Sequence, residues 1–385
     1  MNPLPMVALT PRRKAAPSPR EKGKGSATGT VGDIREATRS YDRWLARHVP
    51  VVAADVERKH ARMAEGVFPF LRATFYRWCQ HWRALAGAER GATRVAAIGD
   101  LHLENFGTWR DFEGRLIWGV NDFDETTRAP WPLDLVRLAT SAHLAIADQE
   151  VRLRRRDATT AIMAGYRAGI ATGGRPFVLE ERNAWLRRAA NSELRAPPVF
   201  WAKMDALPVA RRPPREAVAA LLEALPGADT RPRICRRVAG LGSLGRARFV
   251  ALADWQGGRV AREVKALPPS AWSWATGRDG GAPAVDRAPR SSDPTVKQAG
   301  PWLVRRLAPH CARVELSDLL RERDEERLLF AMGFDTANVH LRTAGAGPRI
   351  TADLRAGPRD ARWLNELARI FADAIERDFR RWRAG

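Results

Sequence analysis

Gly99-Asp-Leu-His-Leu-Glu-Asn-Phe-Gly107, followed by Val120-Asn-Asp-Phe-Asp124, is the stretch on which the reading of this chain turns. Arg94-Val-Ala-Ala-Ile98 ahead of it reads as a short buried strand, and Asp100 to Gly107 as a polar loop leaving that strand. Two short strands, 106–109 and 116–120, joined by a turn around Asp111–Gly114, then carry Asp122 to the end of a hairpin. A loop carboxylate, an amide five residues on and a carboxylate at a strand end suit phosphoryl transfer. The attacking hydroxyl needs a carboxylate to orient it and take its proton, and magnesium on the phosphates needs hard oxygen ligands. Asp100 is therefore the expected catalytic base, Asn105 and Asp122 the expected metal ligands, and Asp124 an additional ligand. His102 is read as packing and hydrogen-bonding the loop, and Glu104 as solvated. A helix is expected from Pro132, and Asp134 in its first turn would brace the loop rather than touch substrate.

Working outward, residues 1–31 read as a flexible basic tail, with Arg12, Arg13, Lys14, Arg20, Lys22 and Lys24 against Glu21 alone. Residues 32–230 read as a large helical lobe holding the loop and hairpin. Val67, Phe68, Phe70, Leu71, Phe75, Trp78 and Trp82 recur there at helical spacing and mark a buried face. Further helices run to about Leu225, broken at Gly173-Gly174 and Pro213-Pro214. Residues 231–315 read as a small antiparallel β lobe, with strands 234–239, 246–255, 260–267 and 302–307, a hairpin turn at Gln256-Gly-Gly-Arg259, and an irregular loop from Pro268 to Gly300. Helices 316–341 and 361–382 are expected to return to the large lobe.

In the β lobe, Gly240-Leu-Gly242-Ser243-Leu-Gly245 precedes a strand, a turn and Glu263-Val-Lys265. A dinucleotide fingerprint would open a helix here, but strand sequence follows, and no G-x-x-x-x-G-K-[ST] string exists. The expectation is a glycine-rich nucleotide turn, its backbone N–H groups near phosphates, with Lys265 reaching them from the next strand.

These strings resemble the kinase-like superfamily, in particular its aminoglycoside and choline phosphotransferase branch, where the loop reads G-D-x-H-x-x-N and the metal strand D-[FW]-[DEG]. The span from about Lys59 to Ala145 is still more similar to the bacterial family of unknown function DUF2252, in which such strings occur with a following PWxxDLxRLAxS. Here that element is Pro130-Trp-Pro-Leu-Asp134-Leu-Val-Arg-Leu-Ala-Thr-Ser141. The resemblance implies a two-lobed α+β kinase-like fold, Mg–ATP or a related nucleotide as cofactor, and transfer of a phosphoryl group to a hydroxyl of an unidentified acceptor. Because the catalytic loop precedes the glycine turn, the fold would be circularly permuted. One departure stands out. An active kinase holds its lysine with a glutamate on a following helix, yet Ala266 to Gly300 contains none. Asp279, Asp286, Asp293, a rearranged Glu263 neighbourhood or Glu315 are the expected partners of Lys265. A nucleotide-binding pseudoenzyme or sensor, and nucleotidyl transfer from the same site, remain alternatives.

Asp100-Leu-His102 also resembles the first motif of binuclear phosphoesterases, but no Gly-Asn-His string follows. A chain of 385 residues, 45% hydrophobic and 28% charged, is long enough for a two-lobed folded core. The net charge of +21 comes with heavy arginine use throughout and no RNA- or DNA-reading motif, so an anionic nucleotide is expected as partner rather than nucleic acid. No apolar run is long enough to span a bilayer, the first thirty residues lack a signal-peptide core, and three scattered cysteines suggest neither disulfides nor a CxxC pair. The expected compartment is the cytoplasm.

Overall fold

The aromatic run of residues 67–82 belongs to a group of short helices rather than one long one. α1 (Ile34–Ala46), α2 (Ala53–Met63), α3 (Val67–Ala73) and α4 (Phe75–Leu85) follow one another, with α3 and α4 parted at Thr74. Phe68, Phe70, Leu71, Phe75, Trp78 and Trp82 are all buried. The computed structural model describes residues 31–190, 196–227, 231–278, 291–311 and 324–385. The basic tail 1–30, Asp279, Asp286, Glu315 and the first residues of the expected helix 316–341 lie outside them.

Strand β1 (Arg94–Ala97) pairs antiparallel with β4 (Thr127–Pro130), with Val95 opposite Ala129. Between them the hairpin β2 (Phe106–Arg110) and β3 (Leu116–Val120) pairs Phe106 with Val120 and is extended by β5 (Phe177–Val178). α5 (Pro132–Ala147) starts with proline in its first turn and is buried along most of its length. α6 (Arg155–Thr172) ends on Gly173 in the left-handed conformation, followed by α7 (Ala184–Ala190), α8 (Pro197–Asp205) and α9 (Arg215–Ala224). A five-stranded antiparallel sheet comes next, ordered β6 (Arg233–Arg236), β7 (Arg248–Trp255), β8 (Gly258–Ala266), β10 (Trp302–Leu307), β9 (Lys297–Ala299). Gln256 and Gly257, both at positive φ, make the β7–β8 turn. The expected irregular loop instead supplies α10 (Ala271–Thr276) and edge strand β9; both are too short for a periodic signal. α11 (Glu325–His340), α12 (Ala346–Arg355) and α13 (Ala361–Ala384) complete the described residues, an α+β arrangement with several antiparallel sheets and thirteen α-helices.

Two packing features hold the site's scaffold. α13 lies against α3, α4, α5 and α6, and its Asp378 takes a bidentate pair from Arg77 of α4, at 2.6 and 2.9 Å. α11 crosses α6 with the backbones in contact. A Cβ on Gly333 would lie 2.0 Å from the Ile162 carbonyl oxygen, and one on Gly165 1.9 Å from that of Phe330. Among the described residues no helix is long and apolar enough to cross a membrane.

Gly333→Ala should therefore force α11 off α6 and destabilise the protein by about 1–3 kcal/mol or more, read as a lower midpoint in urea. An unchanged midpoint would mean that the two helices are not in backbone contact.

Candidate functional site

The loop at 99–105 is held from beneath by one side chain. Asp134, fully buried in the first turn of α5, accepts the backbone N–H of Ile98 (2.7 Å) and of Gly99 (2.9 Å). His340 of α11 donates from Nε2 to Asp134 Oδ2 at 2.9 Å, and its Nδ1 lies 2.8 Å from the Tyr166 hydroxyl. Gly99, at φ +86°, lies so close to Glu125 that a Cβ would sit 2.5 Å from its carbonyl oxygen. The loop then closes on itself. Asn105 Oδ1 accepts the His102 N–H (2.7 Å), and His102 Nδ1 accepts the Glu104 N–H (3.2 Å). His102 thus shapes the loop. Glu104, expected in solvent, instead pairs with Arg72 and is only 14% exposed.

The hairpin carrying Asp122 is braced in the same manner. Asp335 of α11 accepts the Val120 N–H at 2.7 Å and the Asn338 amide at 2.8 Å, and it lies where a Cβ on Gly119 would be, 2.4 Å away. Burial pushes the Asp335 carboxyl up to about 6 against those two hydrogen bonds.

Asp100, Asn105, Asp122, Asp124, Gly240, Gly242 and Ser243 line one cleft that opens to solvent. The first four come from the loop and hairpin, and the glycines from a single tight turn at 241–243 between β6 and β7. Gly242 packs tightly against the loop, since a Cβ would lie 3.2 Å from Asp100 Oδ2 and 3.0 Å from the Arg72 carbonyl oxygen. The turn is not an extended hairpin. Ser243 N–H bonds Gly240 O (3.1 Å), and the Ser243 hydroxyl accepts from Arg248 Nη2 (2.7 Å). Gly245 does not line the cleft. Its φ of +94° and the 2.7 Å between its would-be Cβ and Val56 Cγ2 dock the turn onto α2, and its carbonyl accepts the Val52 N–H at 2.9 Å.

Lys265 departs furthest from its expected role. It does not reach freely into the cleft, and of the expected partners Asp293 is not the one it meets, while Asp279, Asp286 and Glu315 lie outside the described residues. Its buried ammonium contacts Asp124 Oδ2 and lies 3.6 Å from Asp122 Oδ1. Asp293 instead faces Arg306 at 3.4 Å. Glu263, two residues before Lys265 on β8, is fully buried and held by Arg237, Arg248 and Arg305.

The two carboxylates on Lys265 differ in character. Asp122 is 46% exposed; burial would raise it, but Lys265, then Arg305 and Arg248, outweigh that and hold it down at about 2. Asp124 is buried, and desolvation together with the neighbouring Asp122 charge pushes it up. Arg246 donates to Glu125 Oε1 at 2.5 Å and reaches Asp124 Oδ2 at 3.5 Å, while Glu125 Oε2 accepts the Ala271 N–H at 2.7 Å. Asp124 Oδ1 is buried with no hydrogen-bond partner.

Asp100 has one oxygen fixed. Arg137 of α5 donates Nε to its Oδ1 at 3.0 Å and Nη2 to the same atom, and Nη2 also meets the Leu71 carbonyl oxygen at 3.0 Å. The guanidinium is fully buried between the rings of Phe75 and Trp78, 5.0 and 5.1 Å from their centroids. Burial raises Asp100 to about 6 despite Arg137. Arg137, Arg246, Glu125, Asp335 and the arginines around Glu263 carried no role in the sequence reading. The available signal was a charge inside an apolar helix, as in Leu135-Val-Arg137-Leu138 and Gly333-Phe-Asp335.

An oxygen set for a hard cation is present in outline. Asn105 Oδ1 keeps a second lone pair, Asp122 is ionised and open to solvent, and Asp124 Oδ1 is unpartnered. Among the described residues no three His, Cys, Asp or Glu side chains converge as a self-contained metal site.

Residues 51–233 match the model of a family described as "Uncharacterized protein conserved in bacteria (DUF2252)". That stretch, somewhat under half of the chain, takes in the loop, the hairpin and Asp134, and stops before the glycine turn. No curated protein and no solved structure matches the chain.

Arg137→Ala leaves the largely sheltered Asp100 carboxyl without its cation and empties the slot between Phe75 and Trp78, and should cost about 2–4 kcal/mol, measured by chemical denaturation at neutral pH. A loss under about 1 kcal/mol would mean that the pair is solvated rather than buried.

Proposed function

We propose that this chain is a kinase-like phosphotransferase, permuted in order, that moves a phosphoryl group from a magnesium–nucleoside triphosphate to a hydroxyl of an unidentified acceptor. The carrying observation is the convergence on one cleft of Asp100, Asn105, Asp122 and Asp124 with the Gly240–Ser243 turn, which arrives from more than a hundred residues away in sequence.

Asp100 is the catalytic carboxylate. With Oδ1 tied to Arg137, Oδ2 is the oxygen turned toward the turn at Gly242 and free to accept a hydroxyl proton. The acceptor oxygen attacks the terminal phosphorus, the bond from that phosphorus to the leaving nucleoside diphosphate breaks, and the proton passes to Asp100. Asn105, Asp122 and Asp124 would hold magnesium, which neutralises phosphate charge when bound. Lys265 holds the cation position between Asp122 and Asp124 and would shift toward the phosphates as the nucleotide enters. The same arrangement would serve nucleotidyl transfer, and the products distinguish the two.

Thermal unfolding tests the binding half of the proposal. Mg–ATP at a hundred times its dissociation constant should add about 2.7 kcal/mol and move the midpoint by a few degrees. The shift should need magnesium and vanish in Asp122→Ala. No shift with any nucleotide in a folded sample would refute the proposal.

Turnover tests the catalytic half. Asp100→Asn should abolish it while sparing the nucleotide shift. A carboxyl raised to about 6 is mostly protonated below that pH, so turnover should climb as pH rises through about 6 and level off above it. A profile flat from pH 5 to 8, or function intact in Asp100→Asn, would favour a nucleotide sensor.

A further inference from the structure

One face of the five-stranded sheet changes character along its strands. Cys235, Val250, Leu252, Ala261 and Leu307 pack there with Met204 of α8. Further along the same face, register places Arg248 of β7 opposite Lys265, and Glu263 of β8 opposite Arg305 of β10. Arg237, just past β6, joins them. The apolar half has a helix over it, while the charged half points at the Asp122–Asp124 segment.

Three guanidiniums share the single Glu263 carboxylate. Arg248 donates Nη1 to Glu263 Oε1 at 3.1 Å, Arg305 donates Nε to the same oxygen at 2.7 Å, and Arg237 contacts Oε2. The carboxylate is fully buried, as is most of Arg248, whereas Arg237 and Arg305 stay 23% and 28% exposed. One anion among three cations leaves two positive charges in excess within the group, offset in part by the nearby Asp122, which Arg305 and Arg248 help to keep ionised. Lys265 cannot serve as their counterpart, because it too is cationic and is already committed to Asp122 and Asp124. A closed structural network would instead pair each buried cation with its own anion.

We infer that Glu263 is the organiser of an arginine clamp, with Arg237 and Arg305 the residues that grip the polyphosphate chain of the nucleotide beside Asp122. This rests on the nucleotide reading above and adds the arginines to Lys265 in phosphate recognition. Guanidinium forks with N–H groups left over match phosphate oxygens in pairs, which an ammonium cannot do. Glu263 fixes the fork planes from behind, so little side-chain freedom is lost on binding. Arg248, also bonded to Ser243, transmits the same positioning to the glycine turn. Lys265 is the counter-ion of the carboxylates until nucleotide and metal enter.

Calorimetric titration of the full chain with inorganic tripolyphosphate and with ATP, each with magnesium, tests the clamp. The proteins compared are wild type, Arg237→Gln, Arg305→Gln and the exposed control Arg362→Gln. Loss of charged hydrogen bonds should weaken both ligands about tenfold or more in each clamp variant and leave the control unchanged. If a Gln variant does not fold, the Lys variant at that position keeps the charge without the fork and should still weaken both ligands severalfold. ATP binding normally to folded clamp variants would overturn the clamp while leaving the nucleotide reading intact. Arginine-dependent tripolyphosphate binding, with ATP no tighter, would support the clamp and remove the nucleotide reading. No binding of either ligand to folded wild type would overturn both.

Discussion

A lysine ammonium buried between two aspartates is costly to assemble. Lys265 and Asp124 leave water, and only close mutual contact repays the loss, while Asp122 keeps one face in solvent. Lys265 meets Asp124 directly and Asp122 at 3.6 Å, joining β8 of the five-stranded sheet to the hairpin of β2 and β3. If either side moved away, a charge would be left buried and unpaired. The sheet and the hairpin are therefore locked together electrostatically, and the cleft exists only where they meet. Arg246, bound to Glu125 and reaching Asp124, and the Glu125 contact to α10 reinforce the same junction.

Around that junction the backbone is fixed by buried polar side chains from helices. Asp134 holds the start of the loop, with His340 and Tyr166 behind it, while Asp335 holds β3 at Val120. Both His340 and Asp335 belong to α11, whose glycine-mediated contact with α6 sets its position. One helix thus positions the Asp100 loop and the Asp122 hairpin together, and α5 supplies both Asp134 and Arg137. Such preorganisation from rigid elements is what a site acting through placed charge requires.

The loop and hairpin were legible because their signals are local. A change from helical to alternating period, a polar string and a proline-initiated helix each identify themselves within about ten residues. Asp134 as a brace followed from its place in the first turn of α5. The role of Lys265 was not legible: charge pairing across the sequence between 122 and 265 leaves no local trace. Gly245 and Gly242 look alike in the sequence, yet one packs on Val56 and the other borders Asp100, a difference set by tertiary contact. Strand β4 was missed because four residues ending in proline carry no alternation; only pairing with β1 makes Thr127–Pro130 a strand. Arg137 and Asp335 were hidden for a related reason, since a charge in an apolar helix announces burial but not its partner.

The most direct test of the central claim is a crystal structure of the chain with manganese, as an anomalously scattering stand-in for magnesium, and a non-hydrolysable triphosphate analogue. The account predicts metal density about 2.1 Å from oxygens of Asp122 and Asn105 or Asp124, with Lys265 drawn off Asp124 toward a phosphate. Ordered analogue bound elsewhere, or a fully liganded crystal in which Lys265 keeps both aspartates and no metal enters, would contradict it.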